Sequence, residues 1–155
     1  MAGVPVGMRE QLTPAIFFQA LTLRLSPLLP FELRAFEQRR QGRLLKLHYG
    51  HPAMHFEAAH HVGRGRLEVG LHFEATAEQN QAAFKFFRVR MVEIKGALPN
   101  SELESWDRGW ARLYETLPGP GLSATLAEAA ATRLAAQITT LQPLLSDFWS
   151  TNGAT

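Results

Sequence analysis

Two segments in the middle of the chain, residues 54–62 and 67–75, alternate apolar and polar positions. A period of two is typical of strands with one buried face, and the Gly63-Arg64-Gly65-Arg66 sequence between the segments is typical of a turn. The pattern therefore predicts an antiparallel hairpin with Arg64 and Gly65 at its tip. One face is then apolar, and it comprises Met54, Phe56, Ala58, Val62, Leu67, Val69, Leu71, Phe73 and Ala75.

The opposite face of this hairpin is polar, because His55 then lies opposite Glu74 and Glu57 opposite His72. Two imidazoles and two carboxylates form a square of donors that Zn, Mn, Fe or Ni would accept. Opposed His and Glu side chains are also ordinary partners across a solvated sheet. A third interpretation is a metal-free acid–base or polar-ligand site, in which a Glu orients a His.

A second hairpin is predicted before the first, from residues 31–38 and 43–49 with a three-residue loop in which Gly42 is left-handed. It would pair Phe31, Leu33 and Ala35 with Tyr49, Leu47 and Leu45. A turn at Gly50-His51 then leads into the central hairpin and places Leu45 beside Phe56. Together the four segments predict an antiparallel meander.

Three helices are predicted from their start signals. Thr13-Pro14 indicates an N-cap and first residue of a helix that continues to about residue 25. Thr76 and Gln79 form a capping-box pattern for a helix that continues to about Lys95. Ser123 begins a long final helix, which Pro143 is expected to bend.

The segment at residues 103–117 fits a helix or a strand, and its aromatic content favours one bent strand or two short ones. The predicted order is α-β-β-β-β-α-β-α. This is an α+β fold with an antiparallel four-stranded meander, one or two further strands, and three helices behind the sheet. With 155 residues, of which 46% are hydrophobic, we expect a single domain over residues 1–155, with residues 1–12 as a loose lead-in.

Composition excludes several classes of site. The chain has no cysteine, so disulfides, thiolate metal sites, iron–sulfur clusters and cysteine nucleophiles are ruled out. Arg9 and Glu10 interrupt the N-terminal apolar run, and no segment approaches the roughly 18 apolar residues of a membrane span. We expect a soluble cytoplasmic protein that does not interact with membranes.

Six further residues are candidate ligand-binding groups. Lys46, His48 and His61 extend the polar face, and Trp106, Trp110 and Arg112 come from the ambiguous segment. Together with Tyr114, the two tryptophans would form an aromatic wall beside the polar face. Such a wall matters because acid–base sites need a partly desolvated cleft. The alternative is that the aromatic residues of this segment pack beneath the last helix.

The formal charge of +2 is small, but the arginines are grouped. In a meander, the first and third turns lie at the same end of the sheet. This topology predicts an arginine rim formed by Arg39, Arg40, Arg43, Arg64 and Arg66. With Trp110 and Arg112 in the ambiguous segment, the rim has the composition used to bind single-stranded nucleic acid or another acidic partner.

These features favour a small binding or interaction module over an enzyme, with no cofactor. The helix over residues 84–92 has more apolar surface than one sheet face needs, which favours a homodimer. One alternative is a metal-dependent or acid–base enzyme that uses His55, Glu57, His72 and Glu74, with a divalent transition metal as its cofactor. The other alternative is nucleic-acid binding through the arginine rim.

Overall fold

A computed structural model describes residues 11–152 as an α+β fold around a six-stranded antiparallel sheet. The strands are β1 Glu37–Gln41, β2 Leu44–His48, β3 Met54–His61, β4 Arg66–Phe73, β5 Glu102–Ser105 and β6 Ala111–Pro118. Their order across the sheet is β1-β2-β3-β4-β6-β5. The predicted fold class, the meander and the two short strands of the ambiguous segment are confirmed.

The helices are α1 Pro14–Leu28, α2 Ala77–Arg88, α3 Met91–Ala97 and α4 Ala124–Thr151. Within residues 11–152, none of them is long and apolar enough to cross a membrane. Most of the predicted lead-in, residues 1–10, lies outside the described residues. Leu12 is described, and its N–H donates to the Leu122 carbonyl at 2.6 Å.

The three predicted helix starts are confirmed by cap hydrogen bonds. The hydroxyls of Thr13, Thr76 and Ser123 each accept a backbone N–H from the first turn of their helix. At Thr76, the Gln79 side chain returns a hydrogen bond to the cap backbone, which completes the capping box. Each helix therefore begins where its sequence supplies a partner for an otherwise unpaired N–H group.

The predicted helix ends were less accurate. Helix α1 continues to Leu28, because proline in the last turn removes only one hydrogen bond while Leu25 and Leu29 are buried. Helix α4 includes Pro143 and continues to Thr151, and a bend at this proline stays a prediction. The single helix predicted to end near Lys95 is two helices, since Arg90 donates from its side chain to the Phe86 carbonyl and closes α2.

The first strand was predicted in the wrong place. Residues Phe31–Leu33 form a 3-10 helix, and β1 begins only at Glu37. Gly42 has φ 59° as expected, but the turn contains two residues and pairs Gln41 directly with Leu44. A charged strand therefore occupies the sheet edge, where exposed charges discourage pairing with another chain.

The central hairpin has a longer turn than predicted, because Val62–Arg64 form a 3-10 turn before the left-handed Gly65. Val62 is therefore exposed instead of buried in a strand. The longer turn shifts the register by two residues, so His55 lies opposite His72 instead of Glu74. The β2–β3 register is shifted in the same way, and Leu45 lies opposite Ala58 instead of Phe56.

A shift of two residues leaves the side chains within β2, β3 and β4 on their predicted faces, because the side-chain period of a strand is two. The apolar face lies against the helices in one continuous core. Fully buried members include Phe17 and Leu21 of α1, Phe56 and Leu71 of the sheet, and Phe148 of α4. The polar face is therefore the side of the sheet turned away from this core.

Candidate metal centre on the polar face

The four residues of the predicted square come together in the structure. One donor atom from each of His55, Glu57, His72 and Glu74 lies within 4.8 Å of all the others. The side-chain partners differ from the prediction, since the two imidazoles lie opposite each other and stack at 5.8 Å between ring centres. His55 is only 1% exposed and His72 only 2%, so this part of the sheet face is not solvated.

His55 is held at both ring nitrogens. Its Nδ1 lies 2.9 Å from the Pro52 carbonyl oxygen, and because a carbonyl only accepts, Nδ1 carries a proton. Its Nε2 lies 3.0 Å from Oε1 of Glu57. The backbone contact thus fixes the ring so that Nε2 points toward the carboxylates.

His72 contacts three carboxylates. Its Nε2 lies 2.5 Å from Oε2 of Glu68 and 3.6 Å from Oε2 of Glu57, and its Nδ1 lies 3.1 Å from Oε2 of Glu74. Burial alone would lower the pKa of His72, but the hydrogen bonds to Glu68 and Glu74 and the charge of Glu57 outweigh it and raise the pKa to about 9. Without a metal, His72 is therefore an imidazolium at neutral pH.

Glu68 is a central residue of the cluster, although it was not part of the predicted square. It is 2% exposed, and it forms an ion pair with Arg112 as well as the hydrogen bond to His72. Burial would raise the pKa of Glu68, but the hydrogen bond and charge of His72 and the charge of Arg112 lower it. The carboxylate is therefore ionised although it is buried.

Gly70 makes the approach of Glu68 and His72 possible. It lies between them on the same strand face, and a Cβ atom there would lie 2.5 Å from the Tyr114 Cβ. The missing side chain lets two residues four positions apart reach across the gap toward each other. This contact could have been found from the sequence, since a glycine lies at the central position of a Glu-Val-Gly-Leu-His segment.

Arg112 is held by stacking as well as by charge. Its guanidinium carbon lies 4.3 Å from the Trp106 ring centre and 3.9 Å from the Tyr114 ring centre. Its Nη2 also donates to Oε1 of Glu104 at 2.9 Å. Burial would lower the pKa of Arg112, but the charge of Glu68 and the hydrogen bond and charge of Glu104 raise it.

Trp106 and Tyr114 therefore flank the polar face, as expected if these aromatic residues form a wall beside it. Trp106 remains 41% exposed, and its ring centre lies 6.1 Å from that of His72. Trp110 lines a separate cleft beside α2.

The other predicted ligand-binding residues lie at the edge of the cluster. Lys46 Nζ is 3.7 Å from Oε1 of Glu74, and His61 Nε2 is 3.5 Å from Oε1 of Glu68. Burial would raise the pKa of Glu74, but the His72 hydrogen bond and the charges of His55, His72 and Lys46 lower it. The Nδ1 of His48 accepts from the Gly50 N–H, which leaves His48 outside the group of donors.

The predicted arginine rim is exposed at Arg39, Arg40, Arg43 and Arg64, whereas Arg66 is half-buried. Arg43 contacts a residue that the sequence interpretation did not single out, His60. Its Nη1 donates to Nδ1 of His60 at 3.0 Å, so the other ring nitrogen of this buried histidine donates to the Gly119 carbonyl at 2.9 Å. His60 thus joins the β1–β2 turn to the end of β6 and has a structural role.

Charge is not balanced in the cluster when both imidazoles are neutral. The ionised groups are then the carboxylates of Glu57, Glu68, Glu74 and Glu104 and the permanent cations of Lys46 and Arg112. Two negative charges are left over. Two protons on the imidazoles or one divalent cation would neutralise them.

Comparisons with known proteins do not assign this centre: no protein-family model matches the chain, and no curated protein or solved structure is significantly similar to it.

Proposed function

We propose that the protein is a metal-binding module that holds one divalent transition-metal ion between His55, Glu57, His72 and Glu74. The observation that carries this proposal is the convergence of two imidazole nitrogens and two carboxylates within 4.8 Å in a buried part of the sheet. Ligands of a tetrahedral zinc ion lie about 3.4 Å apart, given metal–ligand distances of about 2.0–2.2 Å. A small contraction of the side chains would therefore close the site.

The groups around the square support the same proposal. A metal-binding histidine typically donates its second ring N–H to a carbonyl or carboxylate, which orients the ring. His55 has the Pro52 carbonyl in that position, which directs its Nε2 toward Glu57. Both ring nitrogens of His72 face carboxylates, Nδ1 that of Glu74 and Nε2 that of Glu68.

The chemistry of the donors selects the class of metal. Imidazole and carboxylate ligands suit Zn, Mn, Fe and Ni, whereas calcium and magnesium sites use oxygen donors alone. The excess of two negative charges matches a divalent ion, which would replace protons on the imidazoles. Affinity for the metal should therefore rise with pH.

A metal-dependent enzyme is the second candidate. Lys46 and His61 lie at the edge of the cluster, and both side chains are partly exposed. They are positioned to contact an anionic substrate at the metal.

Two further proposals are that the protein is cytoplasmic and that it forms a homodimer. Val89 is 75% exposed and Val92 is 92% exposed, at the junction of α2 and α3. Burying these side chains against a second copy would remove apolar surface from water. Sedimentation velocity of the wild type and of a Val89→Glu/Val92→Glu variant tests this, and we expect only the variant to be monomeric.

Titration calorimetry with Zn²⁺ and Mn²⁺ tests the metal proposal. The wild type should bind one ion per chain, and a His55→Ala/His72→Ala variant should lose at least about a hundredfold in affinity, because it lacks two direct ligands. His48→Ala is the matched control, since it removes an imidazole from the same sheet face outside the square. Equal affinity in the double variant, or equal loss in the control, would rule out this site.

A further inference from the structure

A cleft of about 480 Å³ lies between α2 and the connection from β5 to β6. Its walls contain three aromatic rings, Phe84, Trp106 and Trp110, and two basic side chains, Lys85 and Arg88. Clefts that bind small ligands typically have volumes of about 300–1,000 Å³ and combine apolar walls with a few polar groups. This cleft fits that description.

The helical wall of the cleft follows from the spacing of its residues. Phe84 lies four positions and Lys85 three positions before Arg88, so both side chains neighbour that of Arg88 on one side of α2. Arg88 lies 5.9 Å from the centre of the Phe84 ring. An aromatic surface and two cations are thus presented together.

The opposite wall is a turn that internal hydrogen bonds hold in place. The backbone N–H of Trp106 donates to the backbone carbonyl of Trp110 at 2.9 Å. The turn between these residues contains Arg108 and Gly109, both at φ 73°. Asn80, which is 1% exposed, donates from its side chain to the Gly109 carbonyl at 2.9 Å. The same side chain also accepts from the Ala75 N–H at 2.8 Å. These bonds fix both tryptophans beside α2.

The charge in the cleft is of one sign. No acidic residue is among the described residues that line it. Neither Lys85 nor Arg88 forms an ion pair with any side chain that the structure describes. An anionic ligand would therefore meet two cations that are not already neutralised by protein carboxylates.

We propose that this cleft binds a nucleotide, with the base stacked on Trp106 or Trp110 and the phosphate beside Lys85 and Arg88. Aromatic rings stack favourably on nucleobases, and phosphate forms charge-assisted hydrogen bonds with Lys and Arg. The two requirements select a ligand with a flat ring and an anionic group a few ångströms away. The site is separate from the arginine rim, and it shares with the metal centre only Trp106, whose ring also stacks on Arg112.

The test is calorimetric titration of the full chain with AMP, adenosine and ribose 5-phosphate. AMP should bind at least about tenfold more tightly than either fragment, because only AMP engages both the rings and the cations. In a Lys85→Ala/Arg88→Ala variant, affinity for AMP should fall at least about tenfold. Both side chains are exposed, so an unchanged urea midpoint should confirm that this variant is folded.

An Arg39→Ala/Arg64→Ala variant is the matched control, because it removes the same charge from the exposed arginine rim. It should bind AMP like the wild type. The proposal is overturned if AMP binds no better than adenosine, or if both variants lose affinity equally. It is also overturned if a single-stranded oligonucleotide binds more tightly than AMP and only the rim variant weakens that binding, since the rim would then be the nucleic-acid site.

Discussion

The two faces of the sheet are both buried, but for opposite physical reasons. On one face, apolar side chains such as Phe56 and Leu71 lie against the helices, and their removal from water stabilises the fold. On the other face, His55, Glu68 and His72 are just as inaccessible although they are ionisable. Removing charges from water costs free energy, which the hydrogen bonds and ion pairs of the cluster offset. Burial of apolar surface therefore explains the first face, whereas the second face depends on its polar partners.

The difference also concerns which groups complete each face. The apolar face belongs to one core with residues of all four helices, so its burial belongs to the folding of the whole chain. The hydrogen-bond and ion-pair partners of the polar face come from the strands and from residues next to their ends. A cluster completed in this way can change its protonation or its ligand without moving a helix.

The largest expected effect is the loss of stability when a core side chain of the apolar face is truncated. Phe56→Ala should lower the free energy of unfolding by about 3–5 kcal/mol, because it leaves a cavity among side chains that cannot fully collapse. Zinc affinity of the folded protein should stay unchanged. Urea denaturation measures the first quantity and calorimetry the second. A destabilisation below about 1 kcal/mol would show that this face is not the main source of stability.

A slightly smaller effect is expected from breaking the polar cluster. Arg112→Met should cost about 3 kcal/mol, because it leaves the buried carboxylate of Glu68 without its cation. Adding Glu68→Gln to the same chain should restore most of the loss, since the uncompensated charge is then gone. Urea denaturation of both single variants and the double variant gives this cycle. Additive losses would mean that the pair is not coupled.

The metal-free protein should lose stability as pH rises. The pKa of folded His72 is about 9 and its ordinary value is 6.5, so its contribution is complete below pH 6.5 and is lost as pH rises through 9. The pKa values of Glu68 and Glu74 are lowered from 4.5, so their contributions are lost at acid pH. Urea denaturation with a chelator at pH 6 and pH 9.5 should show a loss of up to about 3 kcal/mol.

The same measurement on His72→Gln provides the control, because the variant should lack this part of the pH dependence. A stability that is constant or rises between these two pH values in the wild type would contradict the charged state of His72. Added Zn²⁺ should reverse the trend, since metal replaces protons on the imidazoles.

The smallest effect concerns the edge of the cluster. Lys46→Ala should change stability by less than about 1 kcal/mol, because its ion pair with Glu74 is partly exposed. It should nevertheless strengthen zinc binding severalfold, since it removes a positive charge beside the proposed ion. Calorimetry tests this change, and weaker binding would show that Lys46 does not act through charge.

The sequence predicts the faces of the sheet better than its registers. Alternation assigns each side chain to a face, and a shift of two residues does not alter that assignment. The register depends on the length of the turn, which the left-handed conformation of Gly65 and the 3-10 turn before it set at four residues instead of two. The apolar residues of the 31–38 segment favoured a strand there, yet charged residues form the edge strand.

The square of the candidate site was predictable because its four residues lie on one hairpin. The remaining contacts depend on tertiary structure. Arg112 reaches Glu68 across 44 positions of sequence, and it comes from a segment whose strand state the sequence left ambiguous. Asn80 and His60 donate to backbone carbonyls of distant elements, and no residue pattern marks such partners.

Metal binding by the square can be measured as the metal content of the protein, purified without a histidine tag and compared with the His55→Ala/His72→Ala variant. We expect about one Zn, Mn, Fe or Ni ion per wild-type chain and none in the variant. Loss of the metal together with an unchanged fold would identify the polar face as the functional centre. Wild-type protein that contains no metal and does not bind added Zn²⁺, or a variant that retains the ion, would contradict it.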